Sequence, residues 1–219
     1  MREPYIHHRI TTGPRQWRRV ADALAGGGAA RLAETGGTLY GIWRSQIGRP
    51  RDELTAITAW PGATPPGVEA VAEILQRGVP SIRCCASEAM IPTLRPDAPH
   101  PPRRQGNYAF RWFETPEANW DEFLDLCAAA WPGFEAAYDS QVIGLWRCAA
   151  DGEGGGRRSL LLTRRPSLAM WERSKIPEGP AEVEVRRTLS RRYDLCDWTC
   201  VYTTTLLTAA DHTDAVRWS

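Results

Sequence analysis

Apolar and polar positions follow the same order of periods twice along the chain. Residues Tyr5 to Ile10 alternate as a strand does and stop at Thr11-Thr12-Gly13-Pro14. Proline is tolerated in the first turn of a helix, so a helix start is expected there. Trp17, Val20, Ala21, Leu24 and Leu32 then share one side of a helix over 14–34. Gly26-Gly27-Gly28 should break or bend it, and Gly36-Gly37 should stop it. Thr38–Ile47 and Leu54–Trp60 read as a hairpin-like strand pair around the turn Gly48–Arg51. Val68, Val71, Ala72 and Leu75 predict a second helix, 68–77, and Ile82–Leu94 an extended return. The second half repeats the order. Tyr108–Phe113 is a strand and 117–138 a helix, bent at Trp131-Pro132. Strands follow at 141–148 and 159–163, helical pieces at 167–175 and 180–193, and a last strand at 198–206.

Each half therefore reads β-α-β-β-α-β, the ferredoxin-like plan. Identical or similar residues recur at one offset of 103: Gly41-Ile42-Trp43-Arg44 returns as Gly144-Leu145-Trp146-Arg147, Trp17 as Trp120, Tyr5 as Tyr108. An internal period of this kind predicts tandem domains. The expected fold class is α+β, with a first ferredoxin-like domain over 1–95, a proline-rich linker over 96–106, and a second domain over 107–219. A ferredoxin-like sheet carries helices on one face, and its other face must be covered. Two copies would cover each other, closing an intramolecular α+β barrel.

Composition excludes more than it assigns. With 27 basic and 26 acidic residues the net charge is +1, which argues against nucleic acid or an anionic membrane as partner. No apolar run reaches the roughly 18 residues of a membrane span. The first residues lack the apolar stretch of a secretory signal, so the expected location is cytoplasmic. Only Lys175 is lysine. The clusters Arg15-Arg18-Arg19 and Arg186-Arg187-Arg191-Arg192 read as solvated helix faces. The six cysteines are expected as free thiols, and no metal site is expected. No hydrolase elbow, Walker loop or zinc motif occurs.

The stretch Gly41-Ile42-Trp43-Arg44-Ser45-Gln46-Ile47-Gly48 resembles the Gly-aromatic-x-Thr/Ser-x-Ile-Gly segment of NIPSNAP-type proteins. Phe110-Arg111-Trp112-Phe113 with Thr115-Pro116 resembles their opening strand and turn, and Pro166 to Glu172 their second helix. Gly26-Gly27-Gly28 and the loop 61–67 depart from the pattern. The resemblance implies the dimeric α+β-barrel superfamily, whose members use the barrel interior for small molecules. Some are oxygenases without metal or flavin, some isomerases or cyclases, and some bind haem.

Strand alternation places Ile6, His8 and Ile10 on one face, and Ala109, Arg111 and Phe113 on one face of the equivalent strand. The resemblance implies that Arg111 looks inward. His8 and Arg111 are thus the candidate catalytic residues, pointing into the barrel or sitting at its mouth. Trp43, Ser45, Trp146, Phe113 and Tyr202 are the candidate substrate-binding residues. Glycine beside Trp43 and Trp146 leaves room for a ring or ligand, though both indoles could equally fill the core. Arg44 and Arg147 should face the other way and pair at the surface. Glu88 and Glu114 lie near strand ends without a partner at a known catalytic spacing. No cofactor is expected, haem being weakly supported by His8 alone. The expected partners are a small-molecule ligand and a second copy of the chain, as a homo-oligomer (dimer). Two functions stay open: a small-molecule-binding protein, with or without oxygenase or isomerase/cyclase chemistry, and a non-catalytic interaction module using Trp60, Trp171 and Trp218.

Overall fold

A computed structural model describes residues 3–152 and 154–211. The described chain forms two compact units. One holds the residues up to Ile91, Ala98–Gln105, and those from Thr203 on. The other holds Pro92–Asp97 and Gly106–Tyr202. The strands are β1 Tyr5–Thr12, β2 Thr38–Ile47, β3 Glu53–Ala59, β4 Ile82–Pro92, β5 Asn107–Thr115, β6 Gln141–Cys148, β7 Arg157–Arg165 and β8 Trp198–Leu206. In the first unit they run β4-β1-β3-β2, every neighbouring pair antiparallel. The end of β8, Thr203 to Leu206, adds to β2 in the same unit. In the second unit the order is β8-β5-β7-β6. Both units thus carry the split β-α-β arrangement expected from the residue pattern.

Helices cover one face of each sheet. In the first unit, α1 (Trp17–Ala23), a π-helical turn (Leu24–Gly28), α2 (Ala29–Ala33) and α3 (Val68–Gln76) are one packed layer. Val20, Leu24, Leu32, Val71 and Leu75 bury completely against Ile6, Ile10, Ile42 and Leu54. Full burial of such side chains stabilises by about 1.5–3 kcal/mol each. The three glycines do not break the helix. The Ala29 N–H reaches the Leu24 carbonyl, five residues back, and the chain continues helical through buried Leu24 and Gly28. Packing of the flanking apolar residues outweighs the low helix propensity of glycine.

In the second unit, α4 (Trp120–Tyr138) carries Pro132 in its interior and lies with α6 (Pro180–Asp194) over the sheet. The short α5 (Leu168–Arg173) starts at Ser167, whose hydroxyl accepts the Met170 N–H at 3.2 Å. Arg173 fixes α5 to α6 through two bonds to Glu182, at 2.8 and 2.9 Å. These bonds, together with the Glu178 N–H, hold the Glu182 carboxyl down to about 2. The linker is bound rather than free: the Ala210 N–H donates to the Arg103 carbonyl, and the Gln105 N–H to Asp211.

The sheet faces turned away from the helices are also buried. Tyr5, Tyr40, Trp43 and Ile57 on one, and Tyr108, Phe110, Trp112 and Trp146 on the other, are nearly without exposure. One detail recurs in both units. The register of β2 against β3 shifts between Leu39 and Gly41, and that of β6 against β7 between Val142 and Gly144. At each place the tryptophan two residues on lays its ring over the glycine, where a Cβ would collide with it. We expect Gly41→Ala and Gly144→Ala each to cost about 1–3 kcal/mol by overpacking. Urea denaturation monitored by tryptophan fluorescence checks this; unchanged midpoints would show that the rings do not need the glycines.

Candidate functional site

The second unit holds a pocket between its sheet and its helices. β5 contributes Ala109 and Arg111, and β7 contributes Leu161, Thr163 and Arg165. Arg111 sits opposite Leu161, and Arg165 opposite Asn107, so the two-residue period of paired strands sends both guanidinium groups to one face. From α6 come Arg186, Leu189, Arg192 and Tyr193, spaced to share one side of a helix. Trp131 and Phe134 descend from α4; Trp171, Ser174 and Lys175 come from α5 and its end. Its interior cavity volume is about 40 Å³, and it opens to solvent at its mouth.

Its electrostatics are one-sided. Arg111, Arg165, Lys175, Arg186 and Arg192 line it, and no aspartate or glutamate does. Arg165 and Arg192 are buried, and the Nε of each lacks a hydrogen-bond partner. Arg165 Nη1 donates to Thr163 Oγ1 at 3.0 Å. Aromatic rings stand where counter-ions would be expected. The Arg165 guanidinium lies 5.0 Å from the Phe134 ring centre, and Lys175 lies 4.8 Å from that of Trp171. Arg192 lies 4.9 Å from both Phe113 and Tyr193, and Arg111 5.2 Å from Tyr193.

The ionisable groups respond accordingly. Burial pushes Arg165 down to about 10, and Arg111 and Arg186 add to that push. Arg111 is lowered by burial and by the charges of Arg192 and Arg186. Lys175 is lowered by burial, then by Arg111, Arg186 and Arg165. Burial alone would raise the Tyr193 phenol, but Arg192, Arg111 and Lys175 outweigh it and lower the group. Positive charge gathered away from water underlies these shifts, and Tyr193 opposes them at Arg111, Arg165 and Lys175. Arg192 departs from them, since burial would lower it but Cys127 and Tyr193 raise it.

The residues singled out from the sequence separate. Arg111 lines the pocket, and Phe113 lies beside it beneath Arg192. Both face the helices of their unit, which corrects the expected direction of Arg111 into a barrel interior. Strand alternation had grouped the face correctly but does not say on which side the helices pack. His8 likewise faces the helices, in the first unit. Its Nδ1 lies 2.7 Å from Ser87 Oγ and its Nε2 2.9 Å from Thr58 Oγ1, with the ring wholly buried. Trp43 and Ser45 lie on the face of the first sheet away from the helices. Trp146 and Tyr202 lie on the corresponding face of the second, Tyr202 stacked on Phe110 at 5.2 Å.

Further expectations need correction. Arg44 is not a surface residue: it is buried on the helix side, 4.0 Å above the Trp17 ring. Trp60 is wholly buried, so it is not an outer contact residue; Trp171 is half-buried and lines the pocket. Trp218 lies outside the described residues. Of the α6 arginines, Arg187 and Arg191 do face outward, to Glu184 and Glu122. Arg186 and Arg192 turn inward, which the reading as one solvated cluster missed. The signal available was their spacing with Leu189 and the use of lysine at position 175 alone. Glu114 pairs with Arg158 at 3.0 Å.

No family model matches the chain, and no curated protein matches it. Solved structures do. An anthrone oxidase-like protein aligns over 99% of this chain and 97% of its own, at 14% identity and TM-score 0.59. A ferredoxin fold protein related to antibiotic biosynthesis monooxygenases, from Listeria monocytogenes, covers 94% and 95%, at 11% and 0.51. A heme-binding protein from Thermus thermophilus covers 94% and 91%, at 14% and 0.53. These likenesses show the fold, the ferredoxin-like α+β plan of dimeric α+β-barrel proteins.

No histidine, methionine or cysteine lines the pocket; the side chain there that could serve as an axial donor to haem iron is the Tyr193 phenol, beside Arg192. Among the described residues no group of three or more His, Cys, Asp or Glu could hold a metal ion. No described helix is long and apolar enough to cross a membrane.

Burial pushes the His8 imidazole down to about 3. The unfolded chain, with an ordinary histidine near 6.5, binds the extra proton on acidification. Stability supported by neutral His8 is therefore complete above about pH 6.5. It is lost at about 1.4 kcal/mol per pH unit as pH falls from there toward the folded value. We expect His8→Gln to remove about 2 kcal/mol of the stability difference between about pH 7 and pH 5. Urea denaturation at the two pH values measures it; an equal difference in wild type and variant would contradict it.

Proposed function

We propose that the chain binds a small organic anion with an apolar or aromatic body, in the pocket of the second unit. The observation that carries this reading is the set of five cations with no carboxylate among the lining residues, set on Trp131, Phe134 and Trp171. Buried unpaired cations are costly, and an anion that meets them would recover that cost. The aromatic walls accept the body of the ligand, and Arg165 with Lys175 its charged group. The likenesses to an anthrone oxidase-like protein and to a relative of antibiotic biosynthesis monooxygenases support an enzyme of oxygenase type. Isomerase or cyclase chemistry, and work without a cofactor, rest on the resemblance to the α+β-barrel superfamily alone.

The finer features of the fold belong to the same proposal. The matching glycine–tryptophan registers support a tandem duplication of one domain. Burial of the sheet faces away from the helices supports closure of the two copies as an intramolecular barrel. The Gly-Ile-Trp-Arg segment supports kinship with NIPSNAP-type proteins. A second reading, a non-catalytic interaction module that dimerises, is favoured by exposed Leu168, Ile176 and Val183 on α5, α6 and their connection.

We expect 2-naphthoate to bind and to quench tryptophan fluorescence, and its neutral methoxy analogue to bind far more weakly. Arg165→Met and Lys175→Met should each weaken naphthoate about tenfold or more, as for loss of a charge-assisted bond. Isothermal titration calorimetry measures the affinities. Equal affinity in wild type and both variants would overturn the pocket as an anion site.

A further inference from the structure

We propose that Tyr193 is the proton-accepting residue of this pocket and that the site acts on a carbon acid, an aromatic ketone that enolises. The inference rests on reading the pocket as an anion site and adds a reaction to it. Among the lining residues there is no histidine, carboxylate or thiol. Guanidinium groups do not give up protons in the working range of a protein. Lys175 is needed as a cation. The Tyr193 phenol is left as the group able to take a proton. Its position suits the task. The guanidinium groups of Arg111 and Arg192 lie 5.2 and 4.9 Å from its ring centre. The ring rests on Phe113 with centres 6.1 Å apart, which fixes its plane. The surrounding cations favour the phenolate over the phenol, in keeping with the direction in which the group is shifted.

The step balances without an oxidant. The Tyr193 phenolate oxygen takes the proton from the carbon beside the substrate carbonyl. The electron pair of that C–H bond becomes the new C=C bond, and the carbonyl oxygen gains the negative charge. Arg111 and Lys175 face that charge, where preorganised cations lower the barrier. Return of the proton from the Tyr193 hydroxyl, to the same carbon or to a conjugated one, completes an exchange or an isomerisation.

The test uses 2-tetralone in D₂O with the full chain, following loss of the α-proton signal by NMR. Wild type should speed exchange by about 10²-fold, the lower range of positioned acid–base catalysis. Tyr193→Phe should lose that acceleration and one tyrosinate that titrates below the others in ultraviolet absorbance. It should still bind 2-naphthoate, which also shows that the variant is folded. Wild type without acceleration, or Tyr193→Phe exchanging at the wild-type rate while naphthoate still binds, overturns this inference and leaves the anion site standing. Failure of naphthoate to bind wild type removes both.

Discussion

The side of each sheet on which the helices pack decides everything else about this molecule. A strand alternates, so the register that buries Ile6 and Ile10 under α1 and α3 also carries His8 to that side. The register that buries Phe113 and Leu161 under α4 and α6 carries Arg111 and Arg165 with them. Polar groups in those positions cannot turn to the other face without unburying the whole strand. They must be satisfied under the helices, and the two units do so differently.

The difference can be followed position by position. His8 on β1 stands opposite Ala56, and Arg111 on β5 opposite Leu161. Two residues further along the partner strand are Thr58 and Thr163, and four further are Trp60 and Arg165. In the first unit a neutral imidazole bridges Thr58 and Ser87, and the Trp60 indole fills the remaining room. The covering helix α3 adds Val71, Ile74 and Leu75, all buried. In the second unit, guanidinium groups take the places of the imidazole and the indole. The covering helix α6 offers Arg186, Arg192 and Tyr193 beside Leu189. One plan thus gives a closed core in one case and a lined cavity in the other. The change lies in a few side chains and in α5, which lines the cavity and has no counterpart between β3 and α3.

This explains what could be read from the residues and what could not. The order of strands and helices was legible because period two and period 3.6 are local properties. So was the matching pattern of Gly41–Trp43 and Gly144–Trp146, because a ring lying over a glycine needs only neighbours in one strand. The direction of a face was not legible, because alternation defines two sides without naming them. Arg111 was therefore aimed to the wrong side. Arg165, Arg186 and Arg192 were lost in an arginine-rich composition, where Arg187 and Arg191 of the same run really are solvated. The glycine run shows the reverse case: propensity argued for a break, and burial of Leu24 and Gly28 kept the helix whole through a π-helical turn.

The remaining question is whether the cations of the second unit could be purely structural. Arginines often serve as packing, and here they lie over Phe113, Phe134 and Tyr193. Such contacts contribute about 0.5–2 kcal/mol each. Withdrawing an ion from water costs several kcal/mol, and bringing like charges together adds to that cost. Packing alone would favour leucine or methionine at Arg165 and Arg192, as α3 and Trp60 achieve in the first unit. Charge kept in a buried layer against that gradient, with Nε atoms unbonded on both side chains, is better explained by a negative partner. The rim of Arg186 and Lys175, less buried than the floor, would draw that partner toward Arg165. The field that holds an anion there also favours a phenolate at Tyr193, so binding and proton transfer draw on the same charges.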